Sequence, residues 1–139
     1  MNQLYNNAAR QLALGQLVWP DTDLVLVAWG GTPLFVATHI TVADLRVATG
    51  LTELGHSLPI TDSSVAIDGT CQTNQVVIPD VPVGPPVTWF TMCRVGVPTL
   101  SEAELILFVD EAIELPFEPN GLDITVQPDW AMRRGWFRP

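Results

Sequence analysis

Leu24-Val25-Leu26-Val27-Ala28-Trp29 is apolar at every position and lies between the turn residues Pro20 to Asp23 and the pair Gly30-Gly31. An unbroken apolar run of this length is typical of a strand that is buried on both faces. A second run, Val87 to Cys93, also places apolar side chains on both of its faces. We therefore predict a central buried strand at 24–29, and one face of 87–93 is a candidate contact surface for a partner.

Short apolar runs separated by turn residues continue along the rest of the chain and indicate further strands. The predicted strands are Val65–Ile67, Gln75–Ile78, Leu105–Val109 and Asp123–Gln127. The run at 105–109 also fits a helix, but we prefer a strand because Pro116 follows so soon. The four prolines of 79–86 cannot donate a continuous ladder, so this stretch is predicted to be a loop or an edge.

Helical spacing is found near the start of the chain. Residues 3–14 carry Tyr5, Ala8, Ala9 and Leu12 at that spacing before Gly15, which predicts one short amphipathic helix. Residues 38–48 fit either a strand or a short helix. Taken together, the pattern predicts a mainly β fold, an antiparallel β-sandwich or jelly-roll-like domain with one short N-terminal helix.

The composition limits what this domain can bind. The 139 residues are 47% hydrophobic and 15% charged, which fits one folded domain. A net charge of −9 opposes binding to phosphate backbones, so we expect no nucleic-acid partner. No apolar run is long enough for a membrane helix, and the first residues lack the features of a signal peptide, so we expect synthesis in the cytoplasm and no membrane contact. We expect Cys71 and Cys93 to be buried thiols.

The residues that could support catalysis form no recognisable motif. His39 and His56 are the only histidines, and neither lies beside a nucleophile motif. Asp21-Thr22-Asp23 lacks the rest of a calcium loop and is interpreted as a turn. The carboxylates between Glu102 and Glu118 are interpreted as the solvated rim of an apolar strand. We expect a protein that is not an enzyme and that has no cofactor and no metal.

Residues 129–139 differ from the rest, because they contain three of the six arginines and two of the five tryptophans while the chain has no lysine. Tryptophan and arginine dominate interface hot spots. We therefore divide the chain into a domain at 1–128 and an arm at 129–139 whose removal should leave the fold intact. Packing of the arm onto its own domain is the alternative. The partner-binding candidates are Trp130, Arg133, Arg134, Trp136, Phe137 and Arg138.

Several segments of the chain follow one another in an order that is also found in a group of known proteins. They are Tyr5 to Ala9 with Gly15, Trp19 to Val27, Thr38 to Thr49, Thr61-Asp62, Leu105 to Asp110, Leu115-Pro116, Pro119-Asn120-Gly121 and Asp123 to Val126. In this order, across residues 4 to 127, the chain resembles small virion proteins of tailed phages that are encoded among head genes. It departs from that group in the proline-rich stretch 81–86 and in the arm.

The resemblance implies a cement or decoration protein without catalysis or cofactor. Such a protein would bind the major capsid protein on the outside of the virion and stabilise contacts between capsid subunits. Symmetric shells also favour self-association, as a dimer or a trimer. The alternatives are a structural component of the phage tail or neck, and a host-surface carbohydrate-binding module that uses exposed tryptophans.

Overall fold

A computed structural model describes residues 2–19, 23–48, 50–60, 63–65, 70–73, 75–94, 100–110, 115–126 and 136. In chain order the helices and strands are β1 (Gln3–Leu4), α1 (Asn6–Ala13), β2 (Leu24–Gly30), α2 (Val42–Arg46), β3 (Thr52–His56), β4 (Ser64–Val65), β5 (Cys71–Gln72), β6 (Val76–Ile78), β7 (Val87–Arg94), β8 (Glu104–Val109) and β9 (Ile124–Val126). A short 3-10 turn, Leu100–Glu102, precedes β8. The predicted mainly β fold is confirmed.

The main sheet has five antiparallel strands in the order β1-β8-β7-β2-β3. All seven residues of β2 are buried, as the run at 24–29 predicts. Its neighbour β7 pairs with it from Leu24↔Arg94 to Gly30↔Val87. Because β2 is apolar on both faces, the sheet needs a cover on each side to remove those side chains from water.

Two small antiparallel sheets, β6–β9 and β4–β5, lie beside the main sheet. The alternate residues Leu24, Leu26 and Ala28 of β2 belong to the same apolar core as Val76 and Ile78 of β6. Ile124 and Val126 of β9 complete this core layer. A large sheet facing a small one across an apolar core is the arrangement of a β-sandwich, which agrees with the predicted fold class.

The opposite face of the main sheet carries Val25, Val27 and Trp29, and it is covered by Tyr5, α2 and Phe35. Trp29 stacks on Trp89 with ring centroids 5.6 Å apart, and the Trp29 indole N–H donates to Thr91 Oγ1 at 3.0 Å. Both faces of β7 are therefore covered by the chain itself. The expectation that one face of this strand contacts a partner is wrong. The sequence pattern showed two apolar faces but not that residues of the same chain would cover both.

Both helices begin close to buried residues. Helix α1 confirms the predicted N-terminal helix, with Tyr5 and Ala8 buried and Ala9 exposed. Helix α2 settles the open choice at 38–48, and the Asp44 carboxylate accepts from the backbone N–H groups of Ile40 and Thr41. These two hydrogen bonds lower the pKa of Asp44. Neither helix in the described part is long and apolar enough to cross a membrane.

Strand β3 was not predicted from the sequence. It extends the sheet beyond β2, and its Gly55 allows close packing, because a Cβ there would lie 3.2 Å from Ile78 Cγ2. The pairing continues at the buried Ser57, whose backbone N–H donates to the Leu26 carbonyl at 2.9 Å. The Ser57 hydroxyl accepts in turn from the Leu26 N–H at 3.0 Å. A side chain thus takes the place of a backbone carbonyl at this edge of β2.

We expect Gly31→Ala to destabilise the fold. Gly31 has φ of +89°, and a Cβ at this position would overlap the Gly50 carbonyl oxygen. Strain in this region of φ and the overlap together should cost about 2–4 kcal/mol in the free energy of unfolding. Gly84→Ala is the control, because a Cβ there meets nothing within 4 Å. Urea unfolding would measure both variants, and equal stability of the two would contradict the prediction.

Candidate functional site

The two histidines lie in different settings. His56 is exposed at the end of β3, whereas His39 is half-buried and its Nδ1 has no hydrogen-bond partner among the described residues. In the same ranges no group of three or more His, Cys, Asp or Glu residues is arranged to hold a metal ion. In the stretch Asp21-Thr22-Asp23, which the sequence predicts to be a turn, Asp21 and Thr22 lie outside the described residues.

Cys71 and Cys93 are buried free thiols, as predicted. Burial raises the pKa of Cys71 to about 11 and that of Cys93 to about 12. The thiolate is the reactive form of cysteine, and a raised pKa keeps it scarce at neutral pH. Both residues therefore have the properties of core residues rather than of nucleophiles.

We expect these thiols to make the fold less stable in mild alkali. In the unfolded chain they ionise near pH ~8.5, while in the fold they stay protonated toward pH 11. The contribution of the two thiols to the free energy of unfolding is therefore complete below pH ~8.5 and is lost as the pH rises from there toward 11. At pH ~9.5 the two thiols together should lower the free energy of unfolding by about 2–3 kcal/mol. Urea unfolding at several pH values would measure this slope.

The Cys71→Ala/Cys93→Ala double variant is the control for this experiment. It should show a flatter dependence of the unfolding free energy on pH over the same window. The comparison should stay below pH ~10, because burial also raises the pKa of Tyr5, which ionises near pH ~10 when the chain is unfolded. An equal slope in the variant and the parent would contradict the assignment.

One carboxylate of the acidic stretch 102–118 holds α1 in place. Glu104 Oε2 accepts from Asn7 Nδ2 at 2.9 Å and from Gln11 Nε2 at 2.6 Å. Gln11 Oε1 accepts in turn from Arg94 Nη1 at 3.0 Å. Glu104 is partly buried. Interpreting the whole stretch as a solvated rim is therefore wrong for Glu104, because α1 lies close enough to bond it.

A shallow groove of about 240 Å³ lies between the segment after β3 and the start of β6. Its lining is Ser57, Leu58, Pro59, Ile60, Gln75, Val76 and Val77. The volume is below the range that is usual for small-molecule sites. The polar side chains of the groove are Ser57, whose hydroxyl accepts from the Leu26 N–H, and the exposed Gln75.

Trp136 is the described residue of the arm, and it lies in the core. It is 2% exposed, its indole N–H donates to Thr73 Oγ1 at 2.8 Å, and its backbone N–H donates to the Cys71 carbonyl at 2.8 Å. Asn2 Nδ2 donates to its carbonyl at 3.0 Å. The prediction of Trp136 as a docking residue is therefore wrong, because its side chain fills its own domain. Removing residues 129–139 would also remove this core side chain.

The other arm candidates, Trp130, Arg133, Arg134, Phe137 and Arg138, lie outside the described residues. Their charge still contrasts with that of the domain. Residues 1–128 contain fourteen of the fifteen acidic residues and three of the six arginines, and the arm contains the other three arginines. Trp136 therefore joins a cationic segment to an acidic domain.

The described tryptophans are all buried, since Trp19, Trp29, Trp89 and Trp136 are each at most 3% exposed. Sugar binding by aromatic stacking needs an open ring face. Trp130, outside the described residues, is left as the tryptophan candidate for that role. The geometry therefore gives no support to the carbohydrate-binding alternative.

Two adjoining loops form an exposed apolar feature next to the small sheet β6–β9. We call it the knob: Asp80, Pro82, Val83, Glu118, Leu122 and Asp123. Val83 is 76% and Leu122 is 65% exposed. The Val81 N–H donates to the Leu122 carbonyl at 3.3 Å, and the Gly121 N–H donates to the Val81 carbonyl at 3.0 Å. These bonds, with Val81 fully buried, hold the knob in one shape.

The base of the knob is fixed as well. Val87 and Phe117 exchange two backbone hydrogen bonds of 2.7 and 2.8 Å, which joins the two loops where β7 begins. Asp123 Oδ1 accepts from the Asp80 N–H at 3.0 Å, and Asp80, Glu118 and Asp123 are exposed residues of the same two loops. A rigid, exposed apolar surface with a charged rim is typical of an interaction site.

No protein-family model, curated protein or solved structure matches this chain.

We expect Trp136→Ala to lower the free energy of unfolding by about 3–5 kcal/mol, because it opens a cavity and leaves the Thr73 hydroxyl without its indole donor. Trp136→Phe should cost less, since it retains most of the apolar volume. Leu58→Ala is the control, at a side chain that is 74% exposed. Urea unfolding would rank the three variants. A Trp136→Ala variant as stable as the control would contradict the core assignment.

Proposed function

We propose that the protein is a non-enzymatic structural virion protein of the cement type, which binds the outside of a phage capsid and stabilises contacts between major capsid subunits. The order of segments that resembles phage head-gene products suggests this class. The observation that carries it furthest in the structure is Trp136, whose burial ties the arginines of the arm to the domain.

The proposed attachment uses the arm without Trp136. Arg133, Arg134 and Arg138 pair with carboxylates of the major capsid protein, because the planar guanidinium group binds carboxylates in a bidentate manner. Trp130 and Phe137 fill apolar pockets beside them. Trp136 contributes by anchoring the arm, which lowers the entropy that attachment costs.

A cement protein acts by repetition. One contact of ordinary size, about 800 Å² per partner, gives strong collective attachment when many copies bind one shell. The β-sandwich suits this role because both faces of its main sheet are covered by the chain itself, which leaves loops and arm for contacts. Self-association into a dimer or a trimer is part of the proposal.

The first test is to purify particles from the source, separate heads from tails and quantify this chain in each fraction by mass spectrometry. We expect many copies with the heads. Recovery with the tails would favour the tail or neck alternative, and absence from both fractions would overturn a virion role.

The second test changes the arm and keeps its anchor. We expect Arg133→Ala/Arg134→Ala/Arg138→Ala to reduce binding to particles that lack the protein by at least about tenfold, because charged interface contacts are lost. Arg46→Ala is the control, since its pair with Glu53 is exposed and such pairs contribute little. Circular dichroism would check the fold. Undiminished binding by the triple variant would refute the proposed use of the arm.

A further inference from the structure

The knob and the exposed end of α1 lie at opposite ends of the main sheet. Pro85, next to the knob, approaches Gly30 at the end of β2, where a Cβ would lie 3.6 Å from Pro85 Cβ. Helix α1 is bonded to Glu104, which pairs with Arg94 opposite Leu24 at the start of β2. Seven residues of strand separate the two ends by about 20 Å.

The exposed end of α1 combines a cation with an apolar side chain. Arg10 and Leu14 are one helical turn apart, joined by the hydrogen bond from the Leu14 N–H to the Arg10 carbonyl at 3.0 Å. Residues four apart on a helix are neighbours on its surface. Arg10 is exposed and Leu14 is 56% exposed. We call this pair the helix patch.

Arg10 differs from the other described arginines. Arg46 binds Glu53 through two hydrogen bonds of 2.8 and 2.9 Å, and Arg94 donates to Gln11. Within the described ranges no hydrogen bond or ion pair engages the Arg10 guanidinium. Its charge is therefore available to an acidic partner.

We propose that the knob of one copy binds the helix patch of a second copy. Val83 and Leu122 contact Leu14, and the rim carboxylates of Asp80, Glu118 and Asp123 surround Arg10. Two knobs would not pair with each other, because that would bring three carboxylates from each copy together. The helix patch offers the complementary charge beside an apolar side chain.

The contact deepens the self-association that the proposed function includes, and it rests on that function only for its biological setting. Two copies lying side by side in opposite directions make the contact twice and close a dimer. In a head-to-tail arrangement, the knob of each copy binds the helix patch of the next copy, and the series closes into a ring. Either arrangement uses the same two surfaces.

Sedimentation velocity of the purified chain over a range of concentrations tests the contact. We expect species heavier than the 15.2 kDa monomer. The patch variant, Arg10→Glu/Leu14→Ser, and the knob variant, Val83→Ser/Leu122→Ser, should each raise the Kd at least about tenfold.

A one-to-one mixture of the two variants gives the sharpest result. Each variant keeps the surface that the other has lost, so together they should form a complex of two chains that neither forms alone. Val47→Ser is the matched control, because Val47 is 83% exposed and lies in neither surface. It should associate as the parent does. Circular dichroism and thermal unfolding would check that all variants are folded.

Three results would overturn the proposal. The first is a parent chain that stays monomeric up to about 1 mM, where even weak association becomes visible. The second is association that both variants leave unchanged. The third is association that survives in the patch variant but is lost in Arg133→Ala/Arg134→Ala/Arg138→Ala, which would make the arm the occupant of the knob. None of these bears on whether the protein is found with phage heads.

Discussion

Burial of β2 on both faces is the constraint on which the rest of the structure depends. Apolar side chains alternate to the two sides of a strand, so a run without polar positions needs cover above and below. The small sheets supply one cover, and α2 with Tyr5 and Phe35 supplies the other. With the sheet enclosed, the exposed apolar groups of the knob and the helix patch lie in loops and at a helix end.

The strands that the sequence predicts are those with a strong apolar pattern. Strands β2, β7 and β8 are long and apolar, and their ends agree with the predictions within one residue. Strand β3 escaped prediction because Thr52-Glu53-Leu54-Gly55-His56 has neither alternation nor an apolar run. Its pairing depends on β2 and on the packing of Ile78 against Gly55, which are tertiary contacts. Strands β1 and β5 have two residues each, too few for any period.

The candidate surfaces were predictable only in part. Arginines on either side of Trp136 suggested a docking segment, and for that reason Trp136 was not recognised as a core residue. A signal existed, because a tryptophan carries both a large apolar surface and an N–H that needs an acceptor when it is buried. The knob was predicted only as a loop or an edge. Nothing in the sequence indicated that the Asn120-Gly121 turn would be bonded to Val81, 40 positions earlier.

The strand pairing also has a kinetic consequence. The central pair β2–β7 joins residues 57 to 70 positions apart, β1 pairs with β8 at separations of 103 and 105, and Asn2 bonds Trp136 at a separation of 134. Closing such loops costs chain entropy before any contact repays it, so sheets of this kind fold in milliseconds to seconds. Until β7 is in place, β2 is an unpaired apolar strand edge, which is the form in which chains aggregate. The feature that stabilises the finished protein is therefore a hazard while it folds.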